Sequence, residues 1–234
     1  MIRSVSASSV FNGLPPERVS TTGDACCLTM TSISLTTNPS VIAARLALQA
    51  NRWILSQDSM VRAYKFLRQD RTTVITGFQW PSEEWVEADG PLGWCENGVH
   101  ACRLDDLPHW LGPELWVMEL AGETVVAADS VVARRARLVH RVDAWSGGVA
   151  QEFADSCAQR ASTLATRAPS AAGRAADAVA DAASGWVAGA AYVAAAVAAE
   201  VACGRQAGAL YQRHFLAERS NQAQWLRDRL ALTD

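Results

Sequence analysis

The densest group of chemically versatile side chains lies in one short stretch near the middle of the chain. It contains two thiols and two imidazoles, a set of ligands that suits tetrahedral zinc. They belong to Cys95, His100, Cys102 and His109. His100 and Cys102 would share one face of a β-strand, and a turn at Asn97-Gly98 would bring Cys95 back toward them. One interpretation is therefore a zinc-stabilised structural domain, with no other cofactor indicated.

The same stretch also fits a catalytic site. A nucleophilic cysteine needs a base within hydrogen-bond reach, and His100 would serve Cys95 or Cys102 in that role. Gly98-Val99-His100-Ala101 is faintly similar to a segment of ADP-ribosyltransferase-like enzymes, so this alternative implies nucleotide-related chemistry. The sequence contains no Gly-x-Ser-x-Gly motif, phosphate-binding loop or dinucleotide-binding glycine fingerprint.

A third interpretation of the stretch is purely structural. Gly98 would occupy a turn with positive φ, Cys102 would be a small buried side chain and His100 would be hydrogen-bonded in the core. The six cysteines of the chain show no spacing typical of a disulfide framework. Residue types and spacing leave the metal, catalytic and structural interpretations open.

Aromatic side chains are the second set of candidates for ligand contact. The residues that would line a pocket or stack on a planar ligand are Tyr64, Trp80, Trp85 and Trp94. Trp85 and Trp94 stand among polar or turn residues, which favours exposure of their rings.

Three arginines, Arg135, Arg137 and Arg141, would share one face of a predicted strand, as a strip for phosphate or nucleic acid would. Acidic residues outnumber basic ones in this part of the chain, and the whole chain carries a formal net charge of −3. We therefore expect a solvated, charge-protected strand face and no nucleic-acid partner.

Short strands and turns dominate residues 60–145. Alternation of apolar and polar residues predicts strands over 61–67 and 135–142. A run of β-branched and aromatic residues predicts another strand over 73–80.

Turn residues complete the prediction for this region. A short strand over 84–88 and a hairpin over 115–128 are expected, with Ala121-Gly122-Glu123 as the hairpin turn. A short helix would run through His109. Together these elements predict a small strand-rich α+β domain over 60–145.

Alanine dominates residues 146–234, which predicts an Ala-rich α-helical region. Helix breaks are expected at 169–173 and 204–208, and the last helix would run over 220–232 with Ser220 as its N-cap. This tail would pack on the strand-rich domain, bind a protein partner or self-associate.

One stretch of the tail, residues 182–199, is uncharged and borderline in length for a membrane span. It lacks Leu, Ile and Phe, and no Lys or Arg cluster flanks it. We expect a packed helix, no membrane partner and a cytoplasmic location.

Residues 1–59 do not resemble a folded domain, because they are rich in Ser and Thr and show no sustained periodicity. Helical character is confined to 41–55. Strand-like patterning begins directly after Met60. We expect a disordered leader or an over-extended start, with Met60 as the initiator.

Three motifs resemble an uncharacterised domain family of phage and bacterial proteins. They are Tyr64-Lys65, Gly77-Phe78-Gln79-Trp80 and the Cys-x-x-Gly-x-His-x-Cys pattern of residues 95–102. The resemblance covers about 60–142, and the Ala-rich tail is similar to that of actinobacterial members. The family has no assigned activity, so the resemblance implies domain boundaries rather than chemistry.

The function that these observations favour is that of a non-enzymatic binding or interaction module. The alternatives are an enzyme centred on Cys95, His100 and Cys102, and a zinc-stabilised structural domain. A protein partner, or a second copy of the chain, would bind through 146–234.

Overall fold

A computed structural model of the chain describes residues 52–54, 60–94, 96–204 and 208–233. Within them six β-strands precede four α-helices, which confirms the predicted α+β class. The strands are β1 (Arg52–Ile54), β2 (Val61–Leu67), β3 (Val86–Glu87), β4 (Val99–Ala101), β5 (Glu114–Val126) and β6 (Val131–Arg141). The helices are α1 (Gly147–Ala165), α2 (Ala172–Ala183), α3 (Val187–Cys203) and α4 (Ala209–Leu230).

The long antiparallel β5–β6 hairpin is the scaffold of the sheet. The predicted turn at 121–123 is wrong, because Gly122 takes φ +77° inside β5 and forms part of a β-bulge. The chain reverses further on, where the Ala127 N–H donates to the Ser130 carbonyl at 2.9 Å. A glycine with positive φ serves a bulge as readily as a turn, so residue type alone could not separate the two.

The sheet closes on itself through one bridge. β1 and β2 pair with β5, and β3 and β4 pair with β6, all antiparallel. Tyr64 in β2 and Cys102, directly after β4, exchange two backbone hydrogen bonds of 2.8 and 2.7 Å. Because β2, β5, β6 and β4 already form a continuous sheet, this bridge joins its ends into a four-stranded ring. Successive side chains along each strand point alternately into and out of the ring.

The strand predicted over 73–80 is wrong. This segment forms turns, and among the described residues its only ladder contact is an isolated bridge between Thr72 and Gln79. Gly77 has φ +64°, and the Thr73 hydroxyl accepts a hydrogen bond from the Phe78 N–H at 2.9 Å. Local side-chain bonds of this kind compete with strand pairing, which is why β-propensity failed here.

The helical region breaks close to the two predicted positions and also at 184–186, where Gly185 has φ +77°. The single packed helix expected over 182–199 is therefore wrong at its start, because α2 ends at Ala183 and α3 begins at Val187. Ser146 caps α1 by accepting from the Val149 N–H, and α3 ends at Gly204, which has φ +74°. The predicted start of the last helix at Ser220 is wrong, because α4 already begins at Ala209. The Ser220 hydroxyl instead donates to the Leu216 carbonyl, an interaction that a serine makes inside a helix.

Two apolar clusters form on the opposite faces of the sheet. The outer face of the ring joins all four helices in one core, which we call the helix-side core, through residues such as Phe66, Val117, Phe153, Ala191 and Leu226. The opposite face carries the ring cluster, formed mainly by Ala63, Leu67, Trp80, Val99, Ala101, Met118, Leu120, Val131, Ala133, Ala136 and Leu138. The tail therefore packs directly on the strand-rich domain.

Two predictions concern the ends of this fold. Most of residues 1–59, and with them most of the predicted helix over 41–55, lies outside the described residues. Within that range Arg52–Ile54 pair with β5, so the helix prediction is wrong there. Among the described residues, no helix combines the length and the apolar character needed to cross a bilayer.

Candidate functional site

β2 places the only lysine of the chain on the inner face of the ring. Ala63 and Leu67 belong to the ring cluster, whereas Tyr64 and Phe66 belong to the helix-side core. Lys65 lies between Ala63 and Leu67, so the strand alternation directs it toward the ring cluster. A cationic side chain is thus held beside an apolar cluster.

The Lys65 ammonium has few partners in the described part of the chain. Its Nζ donates to the His100 carbonyl at 2.5 Å and lies 5.7 Å from the centre of the Trp80 ring. No carboxylate among the described residues forms an ion pair with it. Since an ammonium has three N–H donors, the His100 carbonyl uses only one of them.

Burial is the main influence on the charge of Lys65. It lowers the pKa of the amine to about 8, and the nearby Cys102 thiol opposes this only in part. Desolvation disfavours the charged form of an amine, and a carboxylate that would favour it is missing from the described surroundings. Lys65 therefore carries a much larger neutral fraction near pH 8 than an ordinary lysine does.

Trp80 is held against Lys65 by the loop that follows β2. The backbone N–H of Trp80 donates to the Arg71 carbonyl at 3.1 Å, and the Phe78 ring meets the indole edge-on, with the ring centres 5.7 Å apart. Trp80 is only 3% exposed, yet its Nε1 has no hydrogen-bond partner among the described residues. A buried indole N–H usually finds an acceptor, so this unpartnered donor is an exception among buried tryptophans.

His100 reaches the same place from β4. Its carbonyl accepts from Lys65, and its Nδ1 lies 3.2 Å from the Gly98 carbonyl. Burial and the neighbouring ammonium lower the pKa of the imidazole. The predicted turn at Gly98 is present, with φ +127°.

Cys102 belongs to the helix-side core and is 4% exposed. Burial raises the pKa of its thiol to about 12. The thiolate is the form that attacks electrophiles and binds metals, so this environment does not support a nucleophilic or metal-binding Cys102. Cys95, the other predicted nucleophile and metal ligand, lies outside the described residues.

His109, the fourth predicted metal ligand, lies in a different environment. It ends a 3-10 helix over Leu104–His109, and burial and the Arg219 cation lower the pKa of its imidazole to about 4. A neighbouring guanidinium also disfavours a bound metal cation. No group of three or more His, Cys, Asp or Glu side chains in the described part of the chain could hold a metal ion.

The other predicted ligand-contacting aromatics do not join Trp80 in one site. The Tyr64 hydroxyl donates to the Thr233 carbonyl at 2.6 Å in the helix-side core. Trp85 lies under the guanidinium groups of Arg135 and Arg137, at 4.7 and 5.1 Å from the ring centre. Trp94 is 37% exposed in a turn.

Sequence reasoning missed Lys65 as a site residue. The available signal was its isolation, since Lys65 is the one lysine among 21 Lys and Arg residues. It also stands on the apolar side of an alternating strand, between Ala63 and Leu67. Arginine elsewhere and lysine only here indicates a position where the two side chains are not interchangeable.

Comparisons with known proteins identify one region of the chain. Residues 61–146 match the family model described as a domain of unknown function, DUF7666. The predicted resemblance to an uncharacterised domain family is thereby confirmed, while the phage and bacterial origin and the Cys-x-x-Gly-x-His-x-Cys motif stay predictions. No curated protein and no solved structure matches the chain.

Proposed function

We infer that the strand-rich domain and the helices packed on it form a non-enzymatic binding module, whose ligand presents an oxygen acceptor to Lys65 and Trp80. The observation that carries this inference is the Lys65 ammonium, which lies beside an apolar cluster without a carboxylate among the described residues. Burying a cation is costly unless an anion or hydrogen-bond acceptors compensate it. A carboxylate, phosphate or carbonyl oxygen of a ligand supplies that compensation.

Trp80 strengthens this inference through an independent atom. Its Nε1 is a second buried donor without a partner among the described residues, on the indole whose ring centre lies 5.7 Å from Lys65 Nζ. Two donors on neighbouring side chains favour a ligand with acceptor oxygens over one with donors. Trp116, the cross-strand neighbour of Lys65, adds an apolar contact surface.

Three separate parts of the domain supply the residues around this amine. Lys65 comes from β2, Trp80 from the following loop and His100 from β4. The sequence motifs that resemble the uncharacterised family contain all three residues. Lys65 and Trp80 contribute side chains to this meeting point, whereas His100 contributes its backbone carbonyl.

The enzyme and zinc alternatives receive less support from the described residues. The Cys102 thiol is buried, with a pKa of about 12, and the environments of His100 and His109 differ. A non-covalent binding role needs neither an ionised thiol nor a converging set of metal ligands.

The test uses the full chain and four simple probes: acetate, glutarate, benzoate and inorganic phosphate. Their effect on the thermal unfolding midpoint is measured for the wild type, K65M and R135M. R135M removes an arginine that lies on Trp85, so it is a matched loss of one positive charge. We expect at least one probe to stabilise the wild type and R135M but not K65M, since only bound ligand shifts the folding equilibrium.

The inference would be contradicted if every probe that stabilises the wild type also stabilised K65M. It would also be contradicted if no probe stabilised the wild type. Circular dichroism of K65M establishes that the variant is folded. W80F is the finer variant, because it keeps a ring and removes the N–H. Loss of one hydrogen bond of about 1 kcal/mol predicts binding weaker by about 5-fold.

Interaction through the helical region is a second candidate function. Three large apolar side chains are exposed on α3 and α4: Tyr192 at 53%, Leu210 at 54% and Leu216 at 44%. Leu210 and Leu216 lie about 120° apart around α4, so these side chains do not form one continuous face, and self-association is proposed from their exposure alone. Light scattering of the wild type and of the triple variant Y192S/L210S/L216S tests this. We expect a dimer for the wild type and a monomer for the variant. A monomeric wild type would contradict self-association.

A further inference from the structure

Lys65 offers more than a positive charge, because a primary amine can form a covalent bond. It is the only lysine of the chain, and its Nζ is held by the His100 carbonyl rather than by a carboxylate. Lysines in apolar surroundings are the ones that act as nucleophiles toward carbonyl compounds. The residue as a whole is partly exposed rather than sealed in the core.

We propose that Lys65 captures an aldehyde covalently as a protonated imine, beside the rings of Trp80 and Trp116. This proposal rests on the binding role inferred for Lys65 and names the class of its ligand. The aromatic neighbours favour an aldehyde with a flat, apolar body, such as an aromatic aldehyde.

The reaction needs no oxidant, reductant or metal. The ammonium first loses one proton to solvent, and the nitrogen lone pair then forms a bond to the aldehyde carbon while the carbonyl π electrons move to oxygen. Proton transfers from nitrogen and solvent turn that oxygen into water. Water leaves as the nitrogen lone pair forms the C=N bond, so ammonium and aldehyde give protonated imine and one water, with one positive charge on each side.

Trp80 is the neighbouring donor that would assist the step in which oxygen gains charge. Its Nε1–H is a buried donor without a partner among the described residues, and such a donor stabilises a developing oxyanion more than it would in water. Trp80 is thus a candidate contact of the aldehyde oxygen. The His100 carbonyl accepts from Nζ and holds the amine in place.

The groups around Lys65 allow its amine to lose a proton at a lower pH than an ordinary lysine does. The titratable groups that interact with Lys65 are His100 and Cys102, on and directly after β4. Burial lowers the pKa of His100 and raises that of Cys102 to about 12, so both are largely neutral near pH 7.5. The pKa of about 8 for Lys65 then gives on the order of 100-fold more neutral amine than an ordinary lysine has at that pH.

The test treats the native full chain with benzaldehyde and sodium cyanoborohydride, which reduces any imine to a stable benzylamine. Peptide mass spectrometry then reports modification at Lys65 and, separately, at the N-terminal amine. In the native chain we expect the labelling rate of Lys65 to rise with pH, with a midpoint near pH 8. After unfolding in guanidinium the midpoint of the same rate should move to near pH 10.5. W80F should slow labelling by about 5-fold, while W94F, at an exposed tryptophan, should not.

Failure to label native Lys65 at any pH, with labelling restored by unfolding, would overturn the imine. A native midpoint near that of the unfolded chain would overturn it as well. The binding role is tested separately by the probe anions: stabilisation that depends on Lys65 without labelling removes only the imine. If Lys65 is labelled but K65M binds the anions as the wild type does, the anion-binding function is contradicted and covalent capture remains.

Discussion

At the scale of single residues, the candidate site differs from a typical ion pair because the Lys65 ammonium has no counter-ion among the described residues. The His100 carbonyl and the Trp80 ring satisfy the Lys65 ammonium only in part. A charge held in this way is a cost to folding that ligand binding would remove. The pH dependence of stability is the direct measure of that cost.

Replacing Lys65 by methionine should remove one pH-dependent contribution to stability. Between the folded pKa of about 8 and the ordinary value of 10.5, the unfolded chain binds more protons, so the free energy of unfolding rises with pH. Below pH 8 the amine is charged in both states and contributes no slope. The wild-type free energy of unfolding should gain at most about 3 kcal/mol over K65M across this interval.

Urea unfolding of both proteins between pH 7 and 10.5 measures this difference. The raised thiol pKa values of Cys102 and Cys157 favour unfolding above pH 9. The comparison with K65M cancels the contribution of Cys157, whereas that of Cys102 cancels only in part because its thiol interacts with Lys65. A difference that stays constant with pH would show that the amine titrates normally.

The thiols provide a second prediction at this scale. Cys102 and Cys157 are buried, with thiol pKa values of about 12, whereas Cys203 is partly exposed. Iodoacetamide at pH 8 should therefore alkylate Cys203 at least about 10-fold faster than the two buried thiols. Peptide mapping before and after unfolding gives the rates, and rapid native alkylation of Cys102 would revive the nucleophile hypothesis.

At the scale of elements, the position of His100 depends on how β4 begins. Gly98 has φ +127°, and a Cβ there would clash with the Val132 side chain and approach the Leu92 side chain to 3.1 Å. The glycine lets β4 enter the ring beside β6. Without Gly98, the pairing of β4 with β6 would not place the His100 carbonyl beside Lys65.

G98A should destabilise the fold by about 3 kcal/mol or more, because backbone strain and overpacking add. G77A is the matched control: Gly77 also has positive φ, at +64°, but no atom of the described residues lies within 4 Å of the position its Cβ would take. It should cost only about 1 kcal/mol. Chemical denaturation gives both values, and equal effects would mean that close packing at Gly98 contributes nothing.

The chain end is tied to β2 by two side chains. Tyr64 donates to the Thr233 carbonyl at 2.6 Å, and Arg62 donates to the Thr233 hydroxyl at 2.7 Å. These contacts connect the chain after α4 with the strand that carries Lys65. They explain why Tyr64 belongs to the helix-side core rather than to a ligand pocket.

Y64F should cost about 1 kcal/mol of folding free energy, the worth of one hydrogen bond. The same substitution should have the same effect in T233A, which keeps the carbonyl, and almost none when residues 233 and 234 are deleted. A double-mutant cycle by urea denaturation measures this coupling. An undiminished effect of Y64F in the shortened chain would place the loss elsewhere.

At the scale of the whole molecule, the strand-rich domain and the helices share one core. Outward-facing side chains of β2 and β5, such as Phe66 and Val117, lie in the same cluster as Phe153 of α1 and Leu226 of α4. The helices therefore cover the outer face of the ring. The two parts should unfold together rather than as separate units.

L226A tests this shared core, since Leu226 is fully buried. It should lower the free energy of unfolding by about 2–5 kcal/mol and speed hydrogen exchange in β5 and β6 as well as in the helices. L216A removes the same atoms from a residue of the same helix that is 44% exposed, so its effect should be small. Faster exchange confined to the helices would indicate two independent units.

Local pattern determined much of the fold. Alternation predicted β2 and most of β6, the alanine content predicted the helices, and Gly204 marked the end of α3. These features depend on neighbours within a few residues, which a sequence displays directly. The turn at Gly98 was predicted for the same reason, because few other residues adopt positive φ.

Contacts between distant residues decided the remainder. Gly122 forms a bulge because β5 continues to pair on both sides of it. Residues 73–80 form a loop because local hydrogen bonds take the place of a strand partner in the described part of the chain. The sequence analysis named Lys65 only as part of the Tyr64-Lys65 motif and gave it no role. Only closure of the ring through Tyr64 and Cys102 brings the His100 carbonyl and the Trp80 indole to its ammonium. Local sequence pattern thus predicts the class of fold and its element types. The candidate site depends on tertiary contacts, because the desolvation that sets the chemistry of an amine comes from residues distant along the chain.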